Sequence, residues 1–255
     1  MITKTALKIA APFPKIESFQ SYLFIGPHPD DIEIGAGATA AKLVSEGKRV
    51  TFLICTDGRY GTDNISGIEP DELAARRKQE SILSAKTLGV SDVRFLDLSD
   101  GGFYDIWGME EGIAKTVADV KPDMIFAPDP DVTSECHADH LNTGKCAKKI
   151  AHFSGNAGIM QRYGAEAHDV QAIGLYMTAK PNRFVKTSGM LEKQFSSIFD
   201  CHLTQYPKGI PAADTLKLYI RLRSAEFGIR SFKGQAEGFR VLGKIHMHCL
   251  SEAGN

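Results

Sequence analysis

The chain carries five cysteines, Cys55, Cys136, Cys146, Cys201 and Cys249, yet it has no C-x-x-C pair. The odd count argues against a disulfide framework and the spacing against a thiolate zinc site, so a reducing, cytoplasmic setting is expected. No run of about 18 apolar residues occurs, and no membrane span is expected. The first twenty residues hold a short apolar piece, but Lys8, Pro12 and Pro14 interrupt it, which does not make a secretory signal. Neither sign of charge dominates: 30 Lys and Arg face 31 Asp and Glu, for a net charge of -1. That gives no basic field for nucleic acid and no acidic tail. Internal repeats and low-complexity linkers are absent. So is the G-x-S-x-G elbow of serine hydrolases, and Cys136 beside His137 has no further support as a nucleophile.

What is present is a globular composition. The 255 residues are 43% hydrophobic and 24% charged, enough to bury a large core without staples. With no linker in view, one domain over residues 1–255 is expected, its core at about 20–250. Short apolar runs at Tyr22–Gly26, Val50–Cys55, Val93–Leu96 and Met124–Ala127 predict buried strands. Helical stretches separate the first three and continue after them: Ile34–Glu46, Pro70–Leu88, Glu110–Val120 and Thr143–Phe153. Strand alternating with helix predicts an α/β fold, a Rossmann-like, doubly wound, mainly parallel sheet covered on both faces. Residues 154–170 read as a loop, Ala172–Thr178 as a strand and Leu191–Leu203 as a helix. A basic amphipathic helix is expected over 213–230, with Leu216, Leu218, Tyr219, Leu222 and Phe227 in the core. Residues 238–250 read as a terminal extended segment.

Two signals overlap in "FIGPHPDDIEIGAG", residues 24–37. Gly35 to Ala40 spells G-x-G-x-x-A, and Asp57 lies about twenty residues on, as in a dinucleotide fingerprint. This keeps a dinucleotide-binding oxidoreductase, or a non-catalytic binding module, as the rival reading. In that fingerprint, however, the first glycine follows the strand at once. Here Pro27 through Ile34 intervene, which puts the glycines inside the helix as packing residues. The other signal is His28 with Asp30 and Asp31 on a loop just past a strand's carboxyl end, where open sheets bind ligands. Imidazole and carboxylate suit a borderline divalent ion such as Zn2+. With His28 and Asp31 as ligands, Asp30 is placed to act as general base. Taken alone, adjacent aspartates serve equally well to cap the next helix.

A second loop tips the balance. His137-Ala138-Asp139-His140 follows the fourth predicted strand, at the same end of the sheet. Either histidine can complete a His-Asp-His metal set, leaving the other for the oxyanion or the leaving group. Asp139 can orient either imidazole. Arg77 and Glu80 sit one helical turn apart. They read as a surface ion pair or as an arginine that holds substrate hydroxyls.

With "PHPDD" at 27–31 and "HADH" at 137–140, the sequence resembles the LmbE-like, or PIG-L, family of zinc-dependent N-deacetylases. Arg77, Glu80 and "LGV" at 88–90 extend the likeness. "CTDGRYGT", "FAPDP", "HADHLNTG", "AKPNRFV" and "AEGFRVL" direct it toward the archaeal diacetylchitobiose deacetylases. The resemblance implies zinc held by His28, Asp31 and His140, with Asp30 as general base. It implies His137 at the tetrahedral intermediate or as acid, and Arg77 on the sugar. The substrate class implied is a small N-acetylated sugar. A C-terminal histidine, His248 or its close competitor His246, would reach a neighbouring subunit's site within a homo-oligomer, a trimer or hexamer. Arg59-Tyr60 and "SDGGFYDI" at 99–106 depart from that branch, so the likeness speaks more for the reaction than for the substrate.

Overall fold

The computed structural model describes residues 9–61 and 67–248. Cys249, positions 62–64 of the loop after the second strand and the last residues of the 238–250 segment lie outside them. The strands are β1 (Ser21–Gly26), β2 (Arg49–Thr56), β3 (Asp92–Leu98), β4 (Met124–Pro128), β5 (Ala172–Tyr176), β6 (Arg183–Lys186) and β7 (Ala236–Gly243). The helices are α1 (Asp31–Ser45), α2 (Pro70–Leu88), α3 (Ile106–Val120), α4 (Ala138–Phe153), α5 (Ala157–Arg162), α6 (Leu191–Phe199) and α7 (Pro211–Ser231). One sheet runs in the order β3-β2-β1-β4-β5-β7-β6. The first five strands are parallel, and β7 runs antiparallel to both β5 and β6. Among the described residues no helix is long and apolar enough to cross a membrane.

Every residue of β1 is buried, because helices cover both faces of a parallel sheet. Tyr22 and Phe24 join Phe52, Phe126, Tyr176 and Phe239 in one core layer. Their neighbours Leu23 and Ile25 point the other way and pack with Leu53, Ile113, Ile125 and Ile150. The period-two alternation of side chains thus feeds two cores from one strand.

The chain leaves β1 toward β2 and β3 on one side, then returns to place β4 on the other. This reversal between β1 and β4 opens a crevice at their carboxyl ends. The "PHPDD" loop leaves β1 there, and the "HADH" segment follows β4.

Several expectations are revised by tertiary context. Residues 154–170 contain the short helix α5, closed at its start by Asn156 Oδ1 accepting from Ile159 N at 3.1 Å. One and a half turns carry too little periodicity to read. The short strand β6 went unpredicted because Pro181 and four residues of pairing give almost no pattern. Helices α1, α3 and α4 begin earlier than expected, which puts Asp139 and His140 in the first turn of α4 rather than in a loop. On α7, Phe227 is buried and Leu216 partly so, but Leu218, Tyr219 and Leu222 are exposed. Its apolar residues serve two faces, and only Ala213, Ile220, Ser224, Phe227 and Gly228 are buried.

Candidate active site

The glycine-rich stretch lies in the second and third turns of α1. A Cβ added at Gly35 would stand 2.3 Å from the Tyr176 ring, so the absent side chain lets the helix lie on the sheet. Asp57, the residue a ribose would need, is engaged by Arg59 at 2.6 Å. These glycines pack the helix and frame no phosphate cradle.

The candidate ligands lie in the turn just before them. His28 and Asp31 are buried, and His28 Nδ1 lies 3.0 Å from Asp31 Oδ2. His140 Nε2 reaches the same oxygen at 3.4 Å from across the crevice. One ligand atom from each of the three residues falls within 4.8 Å of the others, a group able to hold a metal ion. The outer nitrogens of both imidazoles are also held. His28 Nε2 meets Asp139 Oδ2 at 2.9 Å, and His140 Nδ1 meets Glu135 Oε2 at 3.0 Å. A carboxylate behind each ring fixes its tautomer and turns the other nitrogen inward, as metal-binding histidines require. A second grouping, His28, His137 and Asp139, is also close enough. Its carboxylate is already saturated: Asp139 accepts from Gly101 N, Gly102 N and Tyr104 Oη as well, at 2.7–2.8 Å.

Asp30 occupies the N-cap of α1 with a φ of 119°, a left-handed conformation that a non-glycine residue adopts at a cost of about 1–3 kcal/mol. Its carboxylate is buried, 3.6 Å from Arg77 Nη2 and 3.4 Å from the Tyr206 hydroxyl. Burial and, less strongly, the Asp31 charge raise its pKa to about 6, against the opposing pull of Arg77, His202 and His28. Asp31 is driven well below the usual carboxylate range: burial raises it, but His140 and His28 outweigh that. His28 is likewise lowered by burial, yet its two carboxylates raise it to about 10.

His137 is the N-cap of α4. Its Nδ1 accepts from Asp139 N at 3.3 Å, so the neutral ring carries its proton on Nε2. The side chain is half-exposed. Burial and the nearby charges of His28 and His140 lower its pKa.

Arg77 is not the expected surface partner of Glu80. Glu80 instead accepts from Thr204 N and Oγ1. Arg77 is buried, and its terminal nitrogens donate to Gly58 O at 3.1 Å and Pro29 O at 2.7 Å. It lies beneath the "PHPDD" loop and ties it to the loop after β2. Gly58, at a φ of +68°, makes room for it: a Cβ there would stand 2.4 Å from Arg77 Nη1.

His248 is remote from its own chain's site. β7 ends at Gly243, which pairs with Ala172 at the amino end of β5. Beyond it, His248 stacks on His152 in the last turn of α4, whose first turn holds His140. His246 is engaged within its own chain, with Phe13 against its ring and Nε2 2.9 Å from Ala11 O.

Glu135 and Tyr206 were missed by sequence reasoning. For Glu135 a signal existed, an acid two residues before His137. Tyr206 is 176 residues from the aspartate it touches, and nothing local marks it.

Known proteins resemble this chain in sequence and in fold. The profile of the PIG-L family, described as GlcNAc-PI de-N-acetylase, matches residues 23–151. The chain is 32% identical over 251 residues to the diacetylchitobiose deacetylase of Thermococcus kodakarensis, covering 97% of this chain and 91% of that one. It is 37% identical over 127 residues to a 1D-myo-inositol 2-acetamido-2-deoxy-alpha-D-glucopyranoside deacetylase of Kineococcus radiotolerans, covering 48% of this chain and 35% of the relative. The structure of N,N'-diacetylchitobiose deacetylase from Pyrococcus horikoshii, complexed with its inhibitor MPG, superposes with a TM-score of 0.87 at 29% identity, covering 98% of this chain and 95% of that one. The 4-carboxy-2-hydroxymuconate hydratase of Pseudomonas putida shares the fold at 16% identity and a TM-score of 0.71, a likeness of fold alone. The matched profile covers half the chain and the Thermococcus relative nearly all of it: this chain belongs to the PIG-L family.

Proposed function

We propose that the protein is a zinc-dependent N-deacetylase that hydrolyses the acetamide of an N-acetylglucosamine-type sugar, releasing acetate and an amino sugar. The convergence of His28 Nδ1, Asp31 Oδ2 and His140 Nε2 on one point, with Asp30 beside them, carries the reading. Two nitrogens and one oxygen, each histidine braced by a carboxylate, fit a zinc site with an open position. Zinc held there by His28, Asp31 and His140 would supply Lewis acidity and lower the pKa of a water to ~7.

The protein's own groups then have separate tasks. Asp30, with a pKa raised to about 6, is ionised near neutrality yet basic enough to take the water's proton. His137 offers its Nε2 proton to the developing oxyanion. Its lowered pKa keeps the ring neutral, which suits a hydrogen-bond donor better than an acid. The proton on Asp30 is therefore the one passed to the departing amine. Asp139 orients His28, and Arg77 braces the loop that carries Asp30.

A homo-oligomer, a trimer or hexamer, is part of the proposal. Leu218, Leu222 and Ile229 form an exposed apolar stripe along α7 at helical spacing, and His248 can meet an active site only in another copy. The free, exposed thiol of Cys136 fits a reducing compartment, which supports a cytoplasmic location.

Acetate release from a panel of N-acetylated sugars, with and without a chelator, tests the reading. Activity is expected on at least one N-acetylglucosamine compound, lost on chelation and restored by zinc. Asp30→Asn is expected to cost about 10²–10⁴-fold in kcat with metal retained, and full activity in that variant would remove Asp30 as the base.

A further inference from the structure

Two large exposed aromatic side chains sit on the loops after β2 and β3, and the chain beside one of them reaches the carboxylate that holds His28. Phe103 is 76% exposed and Tyr60 53% exposed. Their rings meet edge to face, with centroids 6.3 Å apart and planes at 83°. They come from different loops, one after β2 and one after β3, and the chain beside each ring is tied down. Tyr60 N donates to both oxygens of Asp100 at 3.3 Å. On either side of Phe103, Gly102 N and Tyr104 Oη donate to Asp139 Oδ1, each at 2.8 Å. Asp139 in turn holds His28 at 2.9 Å. The Phe103 backbone is thus flanked by hydrogen bonds to the carboxylate that orients a proposed metal ligand.

We infer that Tyr60 and Phe103 form a subsite for a second sugar ring, the pyranose joined to the one that carries the acetamide. This rests on the deacetylase reading above. Exposed aromatic surface is costly in water and marks a ligand groove when it adjoins a site. The C–H face of a pyranose is apolar while its hydroxyl rim stays hydrated, so an aromatic face covers the first and leaves the second wet. Two rings nearly at right angles form a corner that touches both a face and an edge of the sugar. The anchors hold the chain beside both rings before binding, which limits the ordering cost. The corner selects a disaccharide over a monosaccharide without touching the reacting bond.

The test compares N-acetylglucosamine with N,N'-diacetylchitobiose on the full chain. Deacetylation is measured as kcat/KM for wild type, Tyr60→Ala, Phe103→Ala, the double variant and Tyr60→Phe. The preference for the disaccharide is expected to fall about tenfold per ring removed, through KM rather than kcat, and Tyr60→Phe is expected to keep it. Melting temperatures check that these surface variants fold. Binding of both sugars to zinc-loaded Asp30→Asn protein, by calorimetry, separates the two readings. If no acetate is released from either sugar, the deacetylase reading fails. Tighter disaccharide binding that disappears with the rings still supports the subsite in that case. Equal binding of the two sugars, or an undiminished preference in the double variant, overturns it.

Discussion

Replacing Asp139 by Asn exchanges one carboxylate oxygen for an NH2 group and leaves the volume unchanged. The wild-type carboxylate is fully buried and accepts from four donors: His28 Nε2 and Gly101 N on one oxygen, Gly102 N and Tyr104 Oη on the other. An amide cannot accept on both atoms. If its nitrogen faces Tyr104 and Gly102, the tyrosine hydroxyl can turn to accept, but Gly102 N–H is left facing a donor. That costs about 1–3 kcal/mol for one buried unsatisfied group. If the nitrogen faces His28, the ring must change tautomer and put a proton on Nδ1, the atom turned toward Asp31 and the proposed metal. Either way the ligand is less basic and less well aimed, and metal affinity is expected to drop roughly 10–100-fold. Competition with a fluorescent chelator measures this, and added zinc should restore much of the lost activity. A second signature is pH. Burial raises the Asp139 pKa, but His28 and then its other donors lower it to about 2, against 3.8 ordinarily. The folded state therefore binds fewer protons between those values. The stabilisation, about 2 kcal/mol, is present above the unfolded pKa and is lost as pH falls through the folded one. Urea midpoints should show the gap between wild type and Asp139→Asn narrowing from pH 7 to pH 3, where about half of that contribution has gone. Wild-type metal affinity in the variant, or a gap independent of pH, would refute the assignment of Asp139 as the partner of His28.

Metal affinity itself should rise with pH. With its pKa raised to about 10, His28 must lose a proton for Nδ1 to bind, and His140, whose pKa burial lowers but Asp31 raises above its usual value, must lose one too, so Kd for zinc is expected to fall at least about tenfold per unit between pH 6 and 8; a flat profile by competition titration contradicts this. Gly35→Ala should destabilise the fold although alanine favours helix by about 1 kcal/mol. Its Cβ would sit 2.3 Å from the buried Tyr176 ring, and overpacking costs about 1–3 kcal/mol; a higher urea midpoint would show that the helix lies more loosely on the sheet. Leu218→Glu with Leu222→Glu places two charges on the exposed stripe of α7. Chain stability should change by less than about 1 kcal/mol, while light scattering should report a smaller particle if that stripe joins copies. An unchanged mass would assign the interface elsewhere.

The parallel strands were legible because burial on both faces leaves a near-continuous apolar run, as in Tyr22–Gly26. "PHPDD" and "HADH" were legible because each lies beside such a run, and the strand ends mark where open α/β sheets bind ligands. The late position of Gly35 was enough to set aside a phosphate cradle, since sequence distance from the strand is itself a structural fact. The partners across the chain were not legible. Arg77 reads as a surface charge or as a sugar-binding arginine, and its burial shows only when the "PHPDD" loop and Gly58 close over it. The apolar residues of α7 read as core until packing covers Phe227 and leaves Leu222 in water. Tyr60 and Phe103, 43 residues apart in sequence, share a corner only because β2 and β3 are neighbours in the sheet. Local pattern encodes which faces of an element are apolar and which ligand types a loop carries. Which residue closes on which depends on contacts far apart in sequence, and those exist only once the strands are ordered.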